Sequence, residues 1–216
     1  MEAPLKSREH ILHKVRTALG RSAGQGVADP PAARLVVPEV EMEERIVSVR
    51  ARIEALAGKT ARAATPAEAC GMVAAAIEGK SAVASNAPFL AECGITRLAG
   101  VRSGIADRDQ LREACAAADV GITSADYVLG DTGTLVMIAS PQEARLVSLL
   151  PPAHIAVVPK ERILTGLDEL FAILPEPASQ TSSMVLITGP SRTADIEQIL
   201  VRGVHGPGQI MAIVVG

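Results

Sequence analysis

The stretch ADVGITSADYVLGDTGTLVMIAS, residues 118–140, decides how this chain folds. Before it, segments with helical spacing alternate with short runs of Val and Ile. Here the pattern changes to two runs of strand formers, Tyr127 to Leu129 and Thr134 to Ile138, with Gly130-Asp131-Thr132-Gly133 between them. Glycine and aspartate supply the backbone angles and local hydrogen bonds of a tight reversal, so the stretch predicts a β-hairpin. A hairpin set in an otherwise alternating chain predicts an α/β fold: a mixed, mainly parallel sheet covered by helices on both faces.

Working outward, apolar periodicity and capping residues place the remaining elements. Before the hairpin, helices are expected at Glu41–Leu56, Pro66–Ile77, Pro88–Cys93 and Asp107–Ala118, and strands at Thr60–Ala64, Ser81–Ser85 and Thr96–Leu98. After it, helices are expected at Ala144–Leu150, Leu167–Ile173 and Thr193–Val201. The later strands are His154–Val158, Met184–Thr188 and Gln209–Val215. Ser7–Leu19 reads as a short amphipathic helix, capped by Ser7, with Ile11, Leu12, Val15 and Leu19 at helical spacing and Gly20 as its stop. Gly24, Gly26, Pro30, Pro31 and Pro38 then punctuate a linker. The expected organisation is an N-terminal helix arm with its linker over residues 1–39 and a single α/β domain over residues 40–216. The arm packs either on its own body or on a neighbour.

Composition excludes several function classes. With 216 residues, 48% of them hydrophobic, the chain supports one substantial core. Aromatic residues make up 1%, namely Phe89, Tyr127 and Phe171, so the core must be built from Ala, Val, Leu and Ile, and base stacking on aromatics is a poor expectation. The net charge is −3 with dispersed basic residues, which argues against nucleic acid. No apolar run reaches the roughly 18–20 residues of a membrane span. The start, MEAPLKSREHILHK, carries charges where a signal peptide needs its apolar centre. A soluble, cytoplasmic protein is expected. Cys70, Cys93 and Cys115 show no CxxC spacing, so neither a zinc site nor an iron–sulfur cluster is encoded, and buried free thiols are expected.

Three segments are candidates for chemistry. In TGPSRTADIEQILVRGVHGPG, Thr188–Gly208, the turn after a strand delivers Gly189, Ser191, Arg192 and Thr193 to an expected helix start. Free N–H groups and the dipole end there suit an anion. Ser191 or Thr193 can equally be a simple cap, and Asp195 already complements the dipole. Arg192, Asp195 and Arg202 form either a solvated charge row or the edge of a cleft. His205, in the rigid turn Val204-His205-Gly206-Pro207-Gly208 where nearby glycines allow close approach of a ligand, is a candidate proton acceptor. The second candidate is the hairpin turn itself, with Gly130, Asp131, Thr132 and Gly133 at a cleft rim. The third is Glu143, Arg145 and His154, which bracket the helix expected near Leu146. No GxGxxG fingerprint, P-loop, GxSxG elbow or HExxH occurs, so no motif points to a metal and the cofactor stays open, a flavin included.

Two runs carry a resemblance. ITSADYVLGDTGTLVMIASPQEARLVSLLPPAHIAVVP, followed by ITGPSRTADIEQILVRGVHGPG, resembles the lactate-utilisation protein C family, which carries the LUD domain. The likeness is close over about residues 120–216 and looser before them. It implies a fold similar to the glucosamine-phosphate isomerase, ribose-phosphate isomerase and CoA-transferase group. It also implies a part in oxidising L-lactate to pyruvate beside iron–sulfur partner proteins, this chain matching the cluster-free member. It supplies no catalytic residue. It raises the expectation that the Gly130–Thr134 turn and the Thr188–Gly208 segment face one cleft that takes a small anionic metabolite. Two other readings stand beside it. One is a stand-alone isomerase or acyl-transfer enzyme using Asp131, Glu143 or Asp195. The other is a non-catalytic scaffold that docks partners through its N-terminal arm.

Overall fold

The computed structural model describes residues 7–22, 24, 26, 34–194 and 200–216. Contacts divide the chain into two units, Met1–Arg34 and Leu35–Gly216. The first contains helix α1 (Ser7–Ala18), where helical spacing placed one. Much of the Pro/Gly linker falls outside the described residues.

In the second unit the chain begins with α2 (Met42–Ala55), β1 (Lys59–Ala63), α3 (Pro66–Ala76), β2 (Ala82–Ala84), α4 (Pro88–Glu92) and β3 (Val101–Arg102). It continues through α5 (Arg108–Ala117), β4 (Val120–Thr123), β5 (Tyr127–Leu129), β6 (Thr134–Ile138), α6 (Arg145–Leu149) and β7 (Ala153–Pro159). It ends with β8 (Ile163–Leu164), α7 (Leu167–Ile173), α8 (Pro177–Gln180), β9 (Met184–Ile187), β10 (Arg192–Ala194), β11 (Leu200–Arg202) and β12 (Gln209–Val215).

Six strands form a parallel sheet in the order β1-β12-β7-β4-β2-β3. Its middle strands are buried on both faces, which is why they read as unbroken apolar runs. In β7, Ile155 and Val157 pack towards α3 and α4, while Ala156 and Val158 pack towards α2. In β12, Ile213 and Val215 take the first side and Ala212 and Val214 the second. The predicted hairpin forms as expected. It belongs to a second sheet, β8-β5-β6-β9, antiparallel except where β8 meets β5. Residues of α2 (Ile46, Val49, Ile53) share one core cluster with Leu135 of the second sheet and Val214 of the first. The α/β class with a mainly parallel sheet flanked by helices is therefore the observed one.

Local chemistry explains the helix starts. Thr65 Oγ1 accepts from the N–H of Glu68 at 3.2 Å, and Glu68 Oε2 accepts from the N–H of Ala64 at 2.8 Å, a reciprocal cap at the head of α3. Asp107 caps α5 by accepting from the N–H groups of Asp109 and Gln110.

Besides the short β8 and α8, which have no expected counterpart, three elements differ from expectation. β4 has no counterpart among the expected strands. Its Gly121 interrupts the β-branched pattern because α6 packs directly on the strand: a Cβ there would stand 1.8 Å from the Val147 carbonyl oxygen. The strand expected at Thr96–Leu98 is a 3-10 turn at Ile95–Arg97, with the strand displaced to Val101–Arg102. Ile95 is fully buried there, so packing overrides the weak strand preference of Thr96.

The third difference is the largest. The helix expected at Thr193–Val201 is absent at both its ends, because β10 and β11 pair as an antiparallel ribbon, Arg192 opposite Arg202 and Thr193 opposite Val201. Ser191 extends the pairing by accepting from the N–H of Gly203 at 3.0 Å and donating its own N–H to the Pro207 carbonyl at 2.8 Å. Long-range pairing here outweighs a propensity difference of a few tenths of a kcal/mol per residue. Asp195 lies outside the described residues.

Candidate functional site at the carboxyl edge of the parallel sheet

From β2 the chain leaves towards α4, whose Leu90 packs on the Ile155 side of the sheet. From β4 it leaves towards the second sheet, on the Ala156 side. The carboxyl ends of β2 and β4 therefore flank a switch point, the place where open α/β sheets bind ligands. A cleft of about 520 Å³ opens there. Ser85 and Asn86, directly after β2, line it together with Arg108 and Leu111 of α5, Ser140–Gln142, Ala144–Val147, and Ser182 and Ser183 before β9.

Asn86 ties these walls together. Its N–H donates to the Gln142 carbonyl at 2.9 Å, its Nδ2 donates to the Ile105 carbonyl at 3.1 Å, and its Oδ1 accepts from the Gly104 N–H at 2.9 Å. Behind the wall, Glu143 is 5% exposed. Ser85 Oγ donates to Glu143 Oε2 at 2.7 Å, and Glu143 Oε1 has no hydrogen-bond partner. Burial pushes this carboxyl up to about 8. The Ser85 hydroxyl opposes that rise, the charge of Asp126 adds to it, and the Ser124 N–H and Arg162 oppose it. Asp126 is itself raised by burial, although it accepts from the Ile138 N–H at 2.6 Å and faces Arg162. Arg162 donates to Ser124 Oγ and to the Ala125 carbonyl. Arg108 and Arg145 are exposed on the cleft walls. The ion pairs among the described residues are Arg45–Glu169 and Arg62–Glu43, so both wall arginines lack a carboxylate partner.

Of the residues singled out from sequence, Arg145 and Glu143 meet at this cleft. Gly189, Ser191, Arg192, His205 and Gly206 come together elsewhere, in a cleft of about 400 Å³ that also touches Leu149 and Ile210. That cleft lies by the amino edge of the sheet, where the Gly208 N–H donates to the Pro152 carbonyl just before β7. The helix start that was to hold an anion is a strand, and Arg192 donates to the carbonyl of Leu56, closing the C-terminus of α2. Thr193 lies within β10, and Arg202 lines a groove of about 350 Å³ with Lys59, Lys80 and Gln209. His154 is 1% exposed, with Nε2 2.7 Å from Thr123 Oγ1 and Nδ1 without a partner. Burial lowers it to about 4, which keeps it neutral.

The hairpin turn meets the Thr188 segment through hydroxyls: Thr132 to Thr134 at 2.8 Å and Thr134 to Thr188 at 2.8 Å. The two segments nevertheless open into different clefts. Asp131 lines a groove of about 330 Å³ with Thr165, Gly166 and Asp168, and Gly130 is occupied by its N–H bond to the Leu164 carbonyl. Gly133 makes the reversal at φ 68 and donates its N–H to Leu129. Sequence reading missed Ser85, Asn86, Asp126, Arg108 and Arg162. Their signal was polar residues directly after a strand, as in Ser85-Asn86, or at a helix start, as in Arg108.

No group of His, Cys, Asp and Glu among the described residues is arranged to hold a metal ion. No described helix is long and apolar enough to cross a membrane. Cys93, pushed up to about 11 by burial, and Cys115, also raised by burial, are buried free thiols, while Cys70 is half-buried.

A family model for the LUD domain matches residues 46–215. The chain belongs to the LUD domain family. Lactate utilization protein C of Halalkalibacterium halodurans is 40% identical over 111 residues, covering 50% of this chain and 48% of that protein. The same-named protein of Macrococcus caseolyticus is 43% identical over 102 residues, covering 45% of this chain and 44% of that protein. These matches thus span about half the length of each relative. Lactate utilization protein C 1 of Bacillus mycoides is 28% identical over 228 residues, covering 98% of this chain and 97% of that protein. A solved DUF162 family protein from Deinococcus radiodurans superposes with a TM-score of 0.62 at 21% identity, covering 82% of this chain and 100% of that one, a likeness of fold. The LUD match takes in both sheets, and the carboxyl-edge cleft lies within it.

Proposed function

We propose that this LUD domain protein serves lactate utilisation as the cluster-free subunit of an L-lactate-oxidising system, and that its carboxyl-edge cleft binds a small anionic metabolite. The observation that carries the reading is the likeness over 98% of the chain to a protein named lactate utilization protein C 1. The cleft supports its second half: Arg108 and Arg145 present cations without carboxylate partners on its walls, and a guanidinium holds a carboxylate through two parallel hydrogen bonds. In this reading the arginines bind the acid group, while Asn86 and Ser85 meet the rest of the molecule. The partners are iron–sulfur proteins, which carry the electrons away.

The test is to co-express the chain with iron–sulfur partner proteins of a lactate-utilisation system and measure lactate-dependent electron transfer. Transfer that requires this chain and falls on Arg145→Ala supports the reading. Equal transfer with and without the chain sinks it.

A further inference from the structure

The cleft contains one polar contact whose direction is reversible. Ser85 is 3% exposed yet lines the cleft, and its hydroxyl is 2.7 Å from Glu143 Oε2. A hydroxyl has one proton to donate and two lone pairs. While Glu143 is ionised it can only accept, so the Ser85 proton points inward and lone pairs alone face the cleft. Once Glu143 is protonated its own O–H can donate to Ser85 Oγ, which frees the Ser85 proton to point outward. The protonation of one buried carboxyl thus decides whether the cleft can offer a donor at that point or an acceptor only.

We propose that Glu143, acting through Ser85, lets the cleft discriminate between 2-oxo and 2-hydroxy carboxylates according to its own protonation. This rests on the reading of the cleft as a carboxylate site. A 2-oxo acid presents a carbonyl acceptor and is held by the outward Ser85 proton, with the proton of Glu143 retained. A 2-hydroxy acid presents a hydroxyl that both donates and accepts, so it is held in either state, by the Ser85 lone pairs or by the outward Ser85 proton. In both cases Arg145 or Arg108 takes the carboxylate. Glu143 is a positioning residue, since it never touches the ligand.

The surroundings leave Glu143 free to titrate. The charged groups that act on it are Asp126, which disfavours its ionisation, and Arg162, which favours it. Arg162 donates to Ser124 and Ala125 rather than to Glu143, so no ion pair pins the carboxyl in its charged form. The proton that reverses the contact sits on Oε2, the oxygen 2.7 Å from Ser85 Oγ, while Oε1 makes no competing bond. The resulting transition, near 8, lies within reach of ordinary buffers.

The experiment measures binding of pyruvate and of L-lactate to the full chain by calorimetry from about pH 6 to about pH 9.5, in buffers of different ionisation enthalpy. Ionised Glu143 repels both anions alike, so the ratio of the two affinities is the readout. The ratio of pyruvate to lactate affinity is expected to fall roughly fivefold across the transition, the worth of about one net hydrogen bond. Pyruvate binding is expected to take up a proton above the transition. Glu143→Gln, which keeps the shape and cannot titrate, should flatten the ratio, and Ser85→Ala should do the same while the far-ultraviolet spectrum shows both variants folded. A ratio constant with pH in the unaltered chain overturns the inference, as does the same fall in Glu143→Gln. Absence of heat from either acid also overturns it. In that last case chain-dependent electron transfer in the co-expressed system still upholds the subunit reading, so the two failures are separable.

Discussion

The two edges of the parallel sheet are both rich in polar residues and differ in what those residues have left to do. At the amino edge, Arg192 closes the end of α2, Ser191 is bonded to Pro207, Gly208 to Pro152, and His154 is sealed against Thr123. At the carboxyl edge, Arg108 and Arg145 have no carboxylate partner, and Glu143 keeps an unpartnered oxygen beside a serine that lines the cleft. Polar groups at the first edge are spent on architecture, and those at the second are available to a ligand. A buried carboxyl raised in pKa beside a cleft marks a candidate functional site, whereas a fully enclosed neutral histidine is mostly a packing solution.

β4 serves both edges, so the largest effect expected is from Gly121→Ala. The added Cβ would have to displace the Val147 carbonyl, and the cost is expected to exceed about 4 kcal/mol, seen as loss of the cooperative denaturant transition.

The next test separates the edges by pH. Glu143 rises from 4.5 to about 8 on folding, so the native state holds a proton that the unfolded state has lost. Its contribution is full below about 4.5 and is lost as pH rises to about 8, on the order of 5 kcal/mol. His154 falls from 6.5 to about 4, so the unfolded state takes a proton that the native state refuses. Its contribution is full above about 6.5 and is lost as pH falls to about 4, on the order of 3 kcal/mol. Denaturant midpoints against pH should show Glu143→Gln flattening only the alkaline limb and His154→Gln only the acid limb. Flattening of the same limb by both variants would break the comparison.

A smaller pair of effects sharpens it. Arg192→Ala is expected to cost about 1 kcal/mol of stability by uncapping α2, and to leave anion affinity unchanged. Arg145→Ala is expected to change stability by less than about 0.5 kcal/mol and to weaken carboxylate binding about tenfold. Thermal melts with calorimetric titration read both. A reversed pattern would return the ligand to the amino edge. Thr188→Val, which removes one hydroxyl from the chain linking the hairpin turn to β9, is expected to cost about 1 kcal/mol by denaturant titration.

What could be read from the chain follows from the range of the forces involved. The runs Ile155–Val158 and Ile210–Val215 are legible because a strand buried on both faces must be apolar throughout. Tyr127–Ile138 is legible because a hairpin turn is specified by adjacent residues. The Thr65–Glu68 cap is similarly local. Legibility fails where a partner far along the chain decides. Gly121 looks like a break until α6 is laid on it, and Arg192–Ala194 looks helical until Leu200–Arg202 pairs with it.

By itself, then, the sequence determined the alternating α/β class, the hairpin, most helix starts and the membership that the Ile122–Pro159 and Ile187–Gly208 runs announce. Tertiary structure alone decided which edge of the sheet has polar groups to spare. Ser85 and Glu143 lie 58 positions apart and meet because β2 ends at the switch point and Asn86 clips the Gln142 loop against it. The physical reason is that a titration shift and an unpartnered oxygen are properties of surroundings. A carboxyl is ordinary until folding removes its water and sets a serine, rather than a cation, against it.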